Sequence, residues 1–269
     1  MSAQGFTHST IMVLTDGLIG GGEELVKLVY DKAWVSQVVG GAAGDDGKFR
    51  RTSVFGAGEV LSDAAVLVRI FSTSKLGIGV QHGMRSCSEP TRVTDATGGV
   101  LQRIGGRPAF AYYQEFARGR GVTLTPETAG PFMMNHELAI HSGTITKIRA
   151  PLSVNPDGSL NMAAEVPQGS LVSVVSSDEE SLTRAAREAA DEASRNLGAE
   201  AAAGVVVFDC ICRRTILGDH FSREVDAIVG AFERGLPLIG CATYGEIARF
   251  GGKLNGFHNA TAVVLALPR

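Results

Sequence analysis

Short apolar runs that end in polar or small residues dominate the hydropathy pattern of this chain. Thr10–Thr15 and Val38–Ala43 are two such runs, and each is typical of a buried strand. Between them, Glu23–Ala33 places apolar side chains at helical spacing with acids in its first turn, which predicts a helix. Two further strands are predicted around Arg51–Phe55 and Ala64–Phe71. This part of the chain therefore predicts a βαββ module.

The last third of the chain repeats that order of elements. Gly204–Asp209 predicts a strand, and Arg223–Arg234 carries apolar side chains at helical spacing. Leu238–Ala242 then runs into small residues, and Thr261–Leu267 closes with an apolar strand. Four features recur in the same order, so the pattern predicts an internal duplication in which the second strand of each module ends in glycine-rich sequence.

The segment between the modules is mixed. Strands are predicted in Leu76–Gly83 and Thr91–Ile104, a helix in Pro108–Arg118, and hairpins in Ile145–Ser176. Ser177–Ser181 is predicted to cap a long Ala-rich helix. The whole pattern predicts an α+β protein, with repeated βαββ modules forming mixed, largely antiparallel sheets covered by helices in a sandwich-like arrangement.

Composition narrows the class of partner. A net charge of −3 over 269 residues gives no electrostatic basis for binding nucleic acid. No apolar stretch is long enough to span a bilayer, and the N-terminus lacks a basic region followed by an apolar core. Four cysteines are too few for a disulfide framework in a chain of this size. We therefore expect a cytoplasmic protein with reduced thiols and no membrane partner.

The densest group of polar side chains lies near the C-terminus, beside small residues that let backbone amides approach a ligand. Glu246 is suited to hold a ligand ammonium, while Asn259 and the Gly245 amide are suited to a carboxylate. The alternative is that Glu246 and His258 pair with each other or with the backbone to close a hairpin. Tyr244 completes this candidate group.

Two other positions are candidate ligand contacts. Asp45 follows Gly41 in a turn whose amides would hold an anion while the carboxylate holds an amine; the alternative is an ordinary β-turn. Arg213 follows a predicted buried strand, where a loop would let it clamp a carboxylate; the alternative is a surface ion pair. We expect Asp45 and Glu246 to approach each other across the two modules and to share one pocket.

Cysteines and histidines suggest two other functions without deciding for either. Cys210 and Cys212 lack the spacing of a structural zinc site, so no metal is predicted. A covalent enzyme would need Cys210 or Cys241 beside His258, yet no oriented catalytic set is evident. A haem protein needs only one proximal histidine, and His136 lies in an apolar setting, although a structural role is the alternative for each histidine.

Several segments together resemble the FIST family of bacterial sensory domains. Val39–Asp46 and Phe55–Asp63 resemble the second half of the family's N-terminal region, and Phe208–Arg213, Pro237–Ile247 and Phe257–Thr261 resemble its C-terminal region. The resemblance divides the chain into residues 1–105 and 106–269. Family members usually begin with one further module that is missing here. The chain is then either a fragment or a short member that completes its sheet as a homo-oligomer.

The resemblance implies a sensor of small, amino-acid-like molecules that signals through a separate kinase, cyclase or chemoreceptor. Some relatives are described as haem proteins that sense nitric oxide, so haem stays open as the one cofactor to test. We expect a non-enzymatic cytoplasmic sensor whose ligand binds between the modules. A haem-based gas sensor and a cysteine-dependent enzyme are the alternatives. The expected ligand-binding residues are Gly41, Asp45, Arg213, Tyr244, Gly245, Glu246, His258 and Asn259.

Overall fold

A computed structural model describes residues 5–33, 35, 37–143, 145–251 and 255–269. The chain forms two compact units. A discontinuous unit combines Met1–Gly83 with Asp178–Arg269, and a central unit consists of Met84–Ser177. The division at residue 105 that we predicted concerns regions of the sequence, and it stays a prediction beside this spatial division.

The elements of the described chain follow one another as strands with a few helices between them. In chain order they are β1 (His8–Asp16), α1 (Gly22–Ala33), β2 (Gln37–Ala43), β3 (Val54–Gly56), β4 (Glu59–Leu61), β5 (Ala65–Ser72), β6 (Gly77–Gln81), β7 (Arg85–Ser86), β8 (Thr91–Thr97), β9 (Val100–Ile104), β10 (Arg107–Pro108), α2 (Ala109–Arg118), α3 (Ala129–Asn135), β11 (Glu137–Ser142), β12 (Ile145–Arg149), β13 (Pro151–Val154), β14 (Leu160–Met162), β15 (Leu171–Ser176), α4 (Glu179–Asn196), β16 (Ala202–Cys210), α5 (Ile211–Leu217), a 3-10 turn (Gly218–His220), α6 (Phe221–Val229), β17 (Leu238–Arg249), β18 (Gly256–His258) and β19 (Ala262–Pro268).

The main sheet of the discontinuous unit has the strand order β5-β1-β2-β17-β16-β19-β6, with β18 also paired to β17. Strands β1 and β2 are parallel and β5 is antiparallel to β1; β16 and β17 are parallel and β19 is antiparallel to β16. The two triplets meet where β2 pairs antiparallel to β17. They therefore have the same order and polarity. This topology supports the predicted duplication, which stays a prediction.

Each face of this sheet has its own apolar core. On one face, the alanine stripe of α4 packs with Ile228 of α6 against β16 and β19. On the other face, side chains of β2, β6, β16 and β19 pack together around Phe208 and Val263. Helix α4 is capped by Asp178, whose carboxylate accepts a hydrogen bond from the Ser181 amide, so the cap lies inside the segment where one was predicted.

The central unit is a second, mainly antiparallel assembly. Its sheet has the order β12-β11-β15-β8-β9-β14-β13, with β10 paired to β9 and β7 to β15. Helices α2 and α3 contribute Tyr113 and Met133 to a core shared with the strands. The predicted helix at 108–118 and the hairpins of 145–176 are observed with small shifts of their ends. The predicted sandwich-like α+β class with mixed, largely antiparallel sheets is confirmed.

Three local predictions need correction. Strand β17 does not end at Ala242 but continues to Arg249, because β2 supplies a second partner once the pairing with β16 ends at Thr243. Arg213, expected in a loop after the buried strand, lies in helix α5. The strand predicted at 51–55 is confined to Val54–Gly56, where it forms a small hairpin with β4.

Candidate functional site

Thr243 marks the place where the two strand triplets meet. Its position on β17 pairs with Ala43, the last residue of β2, and with Cys210, the last residue of β16. The carboxyl ends of two strands, one from each triplet, therefore converge on one residue of a third strand. A register shift between Thr243 and Gly245 accommodates the change of partner. The ends of strands at a change of connection are where open sheets usually bind ligands.

A recess of about 340 Å³ opens at this meeting point, and we call it the joint recess. Apolar side chains provide most of its wall, while three hydroxyls and a thiol supply polar groups. Cys241 is exposed, whereas Thr15 is almost fully buried. The lining residues are Leu14, Thr15, Gly41, Ala43, Gly44, Ser53, Val54, Phe55, Phe208, Cys241, Ala242 and Thr243.

Gly41 shapes the floor of the joint recess through the side chain that it lacks. A Cβ atom at position 41 would lie 2.7 Å from Thr243 Cγ2 and 2.9 Å from Phe208 Cδ1. Both distances are shorter than real Cβ contacts, so even alanine would require these side chains to move. Glycine therefore keeps the strand close to its neighbours and leaves the recess open.

The loop after β2 is tied to β17 by one aromatic side chain. Tyr244 donates a hydrogen bond to the Asp45 carboxylate, and its hydroxyl accepts one from the Gly47 amide at 2.9 Å. The Phe49 ring stacks on the Tyr244 ring with centroids 4.5 Å apart. Loop 45–52 leads directly into Ser53 and Val54 of the joint recess. Its position therefore depends on Tyr244.

Asp45 organises the rest of loop 45–52. Its carboxylate accepts hydrogen bonds from the amides of Phe49, Arg50 and Arg51 at 2.8, 2.7 and 3.0 Å. The hydrogen bond from Tyr244, followed by those from the amides, holds the pKa of Asp45 well below its usual range. A carboxylate that accepts this many hydrogen bonds stays ionised. Asp45 therefore serves the loop as an internal anchor.

The far end of the loop is held by Asp16, at the end of β1. Thr52 donates a hydrogen bond to the Asp16 carboxylate, which also accepts bonds from the Leu18 and Asp63 amides, both at 2.9 Å. Burial raises the pKa of Asp16, but these hydrogen bonds together lower the pKa by more than burial raises it, so the net shift is downward. Sequence analysis missed Asp16, although an Asp-Gly pair directly after a buried strand is a recognisable turn signal.

Glu246 is fully buried within β17 and accepts hydrogen bonds from two threonines. Thr243 Oγ1 lies 2.6 Å from Glu246 Oε1, and the same hydroxyl donates to the Asp209 carbonyl at 3.1 Å. The single hydroxyl proton of Thr243 is thus shared between Glu246 and the Asp209 carbonyl. Its other oxygen accepts from the Thr261 hydroxyl at 2.8 Å and the Thr261 amide at 3.2 Å. Burial raises the pKa of Glu246 to about 7, although these hydrogen bonds oppose the shift.

Three of the predicted site residues lie side by side across neighbouring strands. Glu246 of β17 is directly opposite Gly41 of β2 on one side and His258 of β18 on the other. Asn259 follows His258 and donates a hydrogen bond to the Tyr244 carbonyl at 3.4 Å. Except for Gly41, these residues are structural neighbours of the joint recess rather than part of its lining.

Arg213 lies on α5, not in a loop, and it is fully buried. Its guanidinium donates to Glu224 Oε1 at 2.8 Å and to three backbone carbonyls, those of His82, Leu182 and Ala260. Burial lowers the pKa of Arg213, but Glu224 and Asp209 raise it more. Glu224 and Asp209 were missed by sequence analysis, since nothing local shows that a helical glutamate 11 residues later points inward.

The cysteines and histidines are dispersed in the described part of the chain. Cys210 and Cys212 are buried with their sulfurs 3.2 Å apart, and all four cysteines are free thiols. Burial, followed by the charge of Arg213, lowers the pKa of His82 to about 4. Among the described residues, no three His, Cys, Asp or Glu side chains form a group that would hold a metal ion. None of the helices described has the length and apolar character to cross a membrane.

Two family models match this chain, one over its N-terminal part and one over its C-terminal part. The model of the FIST N domain matches residues 2–107, and the model of the FIST C domain matches residues 109–249. This chain belongs to the FIST family. FIST domains are sensory domains of signal transduction. The family that the sequence motifs indicated is therefore confirmed.

Proteins similar to this FIST chain come from bacteria and from an archaeon. An uncharacterised protein of Mycobacterium tuberculosis is 27% identical over 239 residues, which is 84% of this chain and 59% of that protein. One from Mycobacterium bovis is 28% identical over 234 residues, which is 84% of this chain and 58% of that protein. A Methanocaldococcus jannaschii protein is 33% identical over 78 residues, 29% of this chain. The chain spans less than two thirds of the mycobacterial relatives.

Proposed function

We propose that this FIST protein is a cytoplasmic sensor that binds a small molecule, amino-acid-like in size, in the joint recess. The observation that carries the proposal is the recess itself, at the point where β2 and β16 end against Thr243. Its volume of about 340 Å³ lies within the range of small-molecule sites. The hydroxyls of Thr15, Ser53 and Thr243 would orient the polar end of the ligand.

Loop 45–52 would convert binding into a signal. The loop contributes no charge to the recess lining, but Ser53 and Val54 line the recess directly after it. A ligand that contacts Ser53 would favour one position of the loop over others, and a separate signalling protein would recognise that position. In this account Asp45 and Tyr244 fix the resting state of the loop. Asp45 is held by Tyr244 and Glu246 by Thr243, and neither lines the joint recess, so their sharing of one pocket stays a prediction.

A duplication of the two triplets would explain why the ligand site lies at the joint. If the two triplets arose by duplication, the antiparallel pairing of β2 with β17 is where the copies meet. Binding there would contact strand ends from both copies. A change in the packing of these strand ends would then alter both halves of the sheet.

A thermal-shift screen of amino acids, their amides and related small anions tests the proposal. We expect at least one compound to raise the melting temperature of the wild-type protein. Ser53→Phe places a ring in the joint recess and should abolish that shift. Ser222→Phe is the matched control, since Ser222 is exposed on α6 and outside the recess lining. A hit that Ser53→Phe retains, or a screen without any hit, would contradict the proposal.

A further inference from the structure

Strand β5, at one end of the main sheet, has a partner on one side only. It pairs along its whole length with β1, and no other strand of the described residues pairs with it. Just before the strand, Asp16 donates a hydrogen bond to the Ala64 carbonyl. Backbone groups of an antiparallel strand alternate between its two sides, so those of Ala65, Leu67 and Arg69 point away from β1. Strand β5 therefore presents a row of donors and acceptors at the end of the sheet.

The other three end strands of the two large sheets are each protected against a further strand. On β6, the Asn196 side chain of α4 donates to the Ile78 carbonyl at 2.7 Å and so occupies the outer backbone. Strand β13 begins at Pro151, directly before a register shift, and β12 carries Lys147 at its centre. Proline, irregular pairing, lysine and a covering helix all hinder the addition of a strand to an edge.

Strand β5 has an apolar and regular edge instead. It is eight residues long, without proline and without a register shift in its pairing. Leu67 is 51% exposed and Val68 is 42% exposed, and because consecutive side chains of a strand point to opposite faces, both faces expose apolar surface. The β3–β4 hairpin lies against Val66 and exposes Phe55 and Val60 as well. A long apolar edge of this kind favours pairing with another strand.

The one charged residue of β5, Arg69, is directed back over its own sheet. Its Nε donates to Ser9 Oγ of β1 at 2.9 Å, and its guanidinium lies 5.1 Å from the centroid of the Phe71 ring. The exposed acid Asp63 lies just before the strand. A segment with an acid at one end and a base towards the other end is complementary in charge to an antiparallel copy of itself.

We infer that β5 pairs with β5 of a second copy of this chain, antiparallel and about a two-fold axis at Leu67. The main sheet then continues across the two molecules. In this register the two Leu67 side chains are opposite each other, Val66 is opposite Val68, and Arg69 lies diagonally across from Asp63. An axis at Arg69 would instead place two guanidinium groups opposite each other, which is unfavourable. The inference does not rest on the joint recess or on its ligand.

Analytical ultracentrifugation across a range of concentrations tests the inference. The wild-type protein should sediment as a dimer. In Leu67→Lys the dissociation constant of the dimer should rise about tenfold or more, because two like charges then oppose each other at the axis. Leu152→Lys is the matched control, since Leu152 is 44% exposed on the end strand β13, and it should leave the dimer unchanged.

A charge exchange at the same position separates a lost interface from a lost fold. Leu67→Glu alone should weaken the dimer as Leu67→Lys does, and an equimolar mixture of the two variants should restore it, since opposite charges then meet at the axis. The inference is overturned if the wild-type protein is a monomer at every concentration, which would leave the edge to a strand of a different protein. It is equally overturned if Leu67→Lys dimerises as tightly as the wild-type protein, or if the mixture of variants stays monomeric.

Discussion

The hydroxyl of Tyr244 donates a hydrogen bond to the carboxylate of Asp45 across 199 residues of sequence. One residue belongs to the strand shared by both triplets and the other to the loop beside the joint recess. The contact therefore joins the element that positions the recess to the segment that would move when the recess is filled. Both residues were expected to contact a ligand, and the structure shows them in contact with each other.

Replacing Tyr244 with phenylalanine should loosen loop 45–52 without unfolding the protein. The change removes the hydrogen bonds to Asp45 and Gly47 and keeps the stacking on Phe49. Amide exchange at Phe49, Arg50 and Arg51 should become several-fold faster by hydrogen–deuterium exchange. Tyr30→Phe, which removes a hydroxyl from α1 and not from this loop, should leave those amides unchanged. Equal exchange in Tyr244→Phe and the wild-type protein would refute the role of Tyr244.

Glu246 should make folding stability fall as pH rises from about 4.5 to 7. Its folded-state pKa is raised from 4.5 to about 7, so the folded state binds the proton more tightly than the unfolded chain. The stabilising effect is complete below pH 4.5 and is lost by the time the pH exceeds 7. It corresponds to roughly 3 kcal/mol.

Glu246→Gln tests this linkage, because the amide has the shape of the protonated acid and does not titrate. The variant should match the wild-type protein near pH 5 and be more stable at pH 8, as measured by urea unfolding across the pH range. Glu246→Ala should be less stable at every pH. If the wild-type and Glu246→Gln curves run parallel from pH 5 to 8, the raised pKa of Glu246 is wrong.

Arg213 should be essential for folding and not for ligand recognition. Arg213→Met leaves the carboxylate of Glu224 buried without its counter-charge, which typically costs about 3–5 kcal/mol. Arg214→Gln, at the exposed neighbouring position, should change stability by less than about 0.5 kcal/mol. Chemical denaturation of the two variants checks the difference. A stable Arg213→Met protein would show that the buried cluster is dispensable.

Gly245 should not tolerate even alanine. A Cβ atom at this position would overlap the Phe257 ring, which packs directly over the backbone of β17. Overpacking of this kind typically costs about 1–3 kcal/mol. Gly130→Ala is the matched control, since nothing lies within 4 Å of its Cβ position in α3, and alanine favours a helix. Comparable melting temperatures for Gly245→Ala and the wild-type protein would contradict the close contact.

Local pattern predicted most of the elements because apolar periodicity depends on which face of each element is buried. Helix α1 is an example, since Val26 and Val29 on one side of the helix are buried. Strand β17 was predicted too short because its residues after Ala242 are buried by β2, a strand far away in sequence. Helix α5 was missed because it is short, and because its Arg213 is buried only through pairing with Glu224, which is distant in sequence.

The candidate site was predictable in part for the same reason. Gly41 could be identified from small residues at a strand end, and the structure places it on the joint recess. The partner of each charged group could not be identified, since Tyr244 with Asp45 and Arg213 with Glu224 are tertiary pairs. Thr243 has no local signal, because its importance comes from the two strands that end beside it.

Hydrogen–deuterium exchange of the wild-type protein, with and without a hit from the thermal-shift screen, tests the central claim most directly. If the ligand binds in the joint recess and is sensed by loop 45–52, exchange should slow in residues 45–55 and at Cys241–Thr243. The same ligand should leave the central unit unchanged. Protection confined to other segments, with no change in residues 45–55, would contradict the claim that this recess is the sensory site.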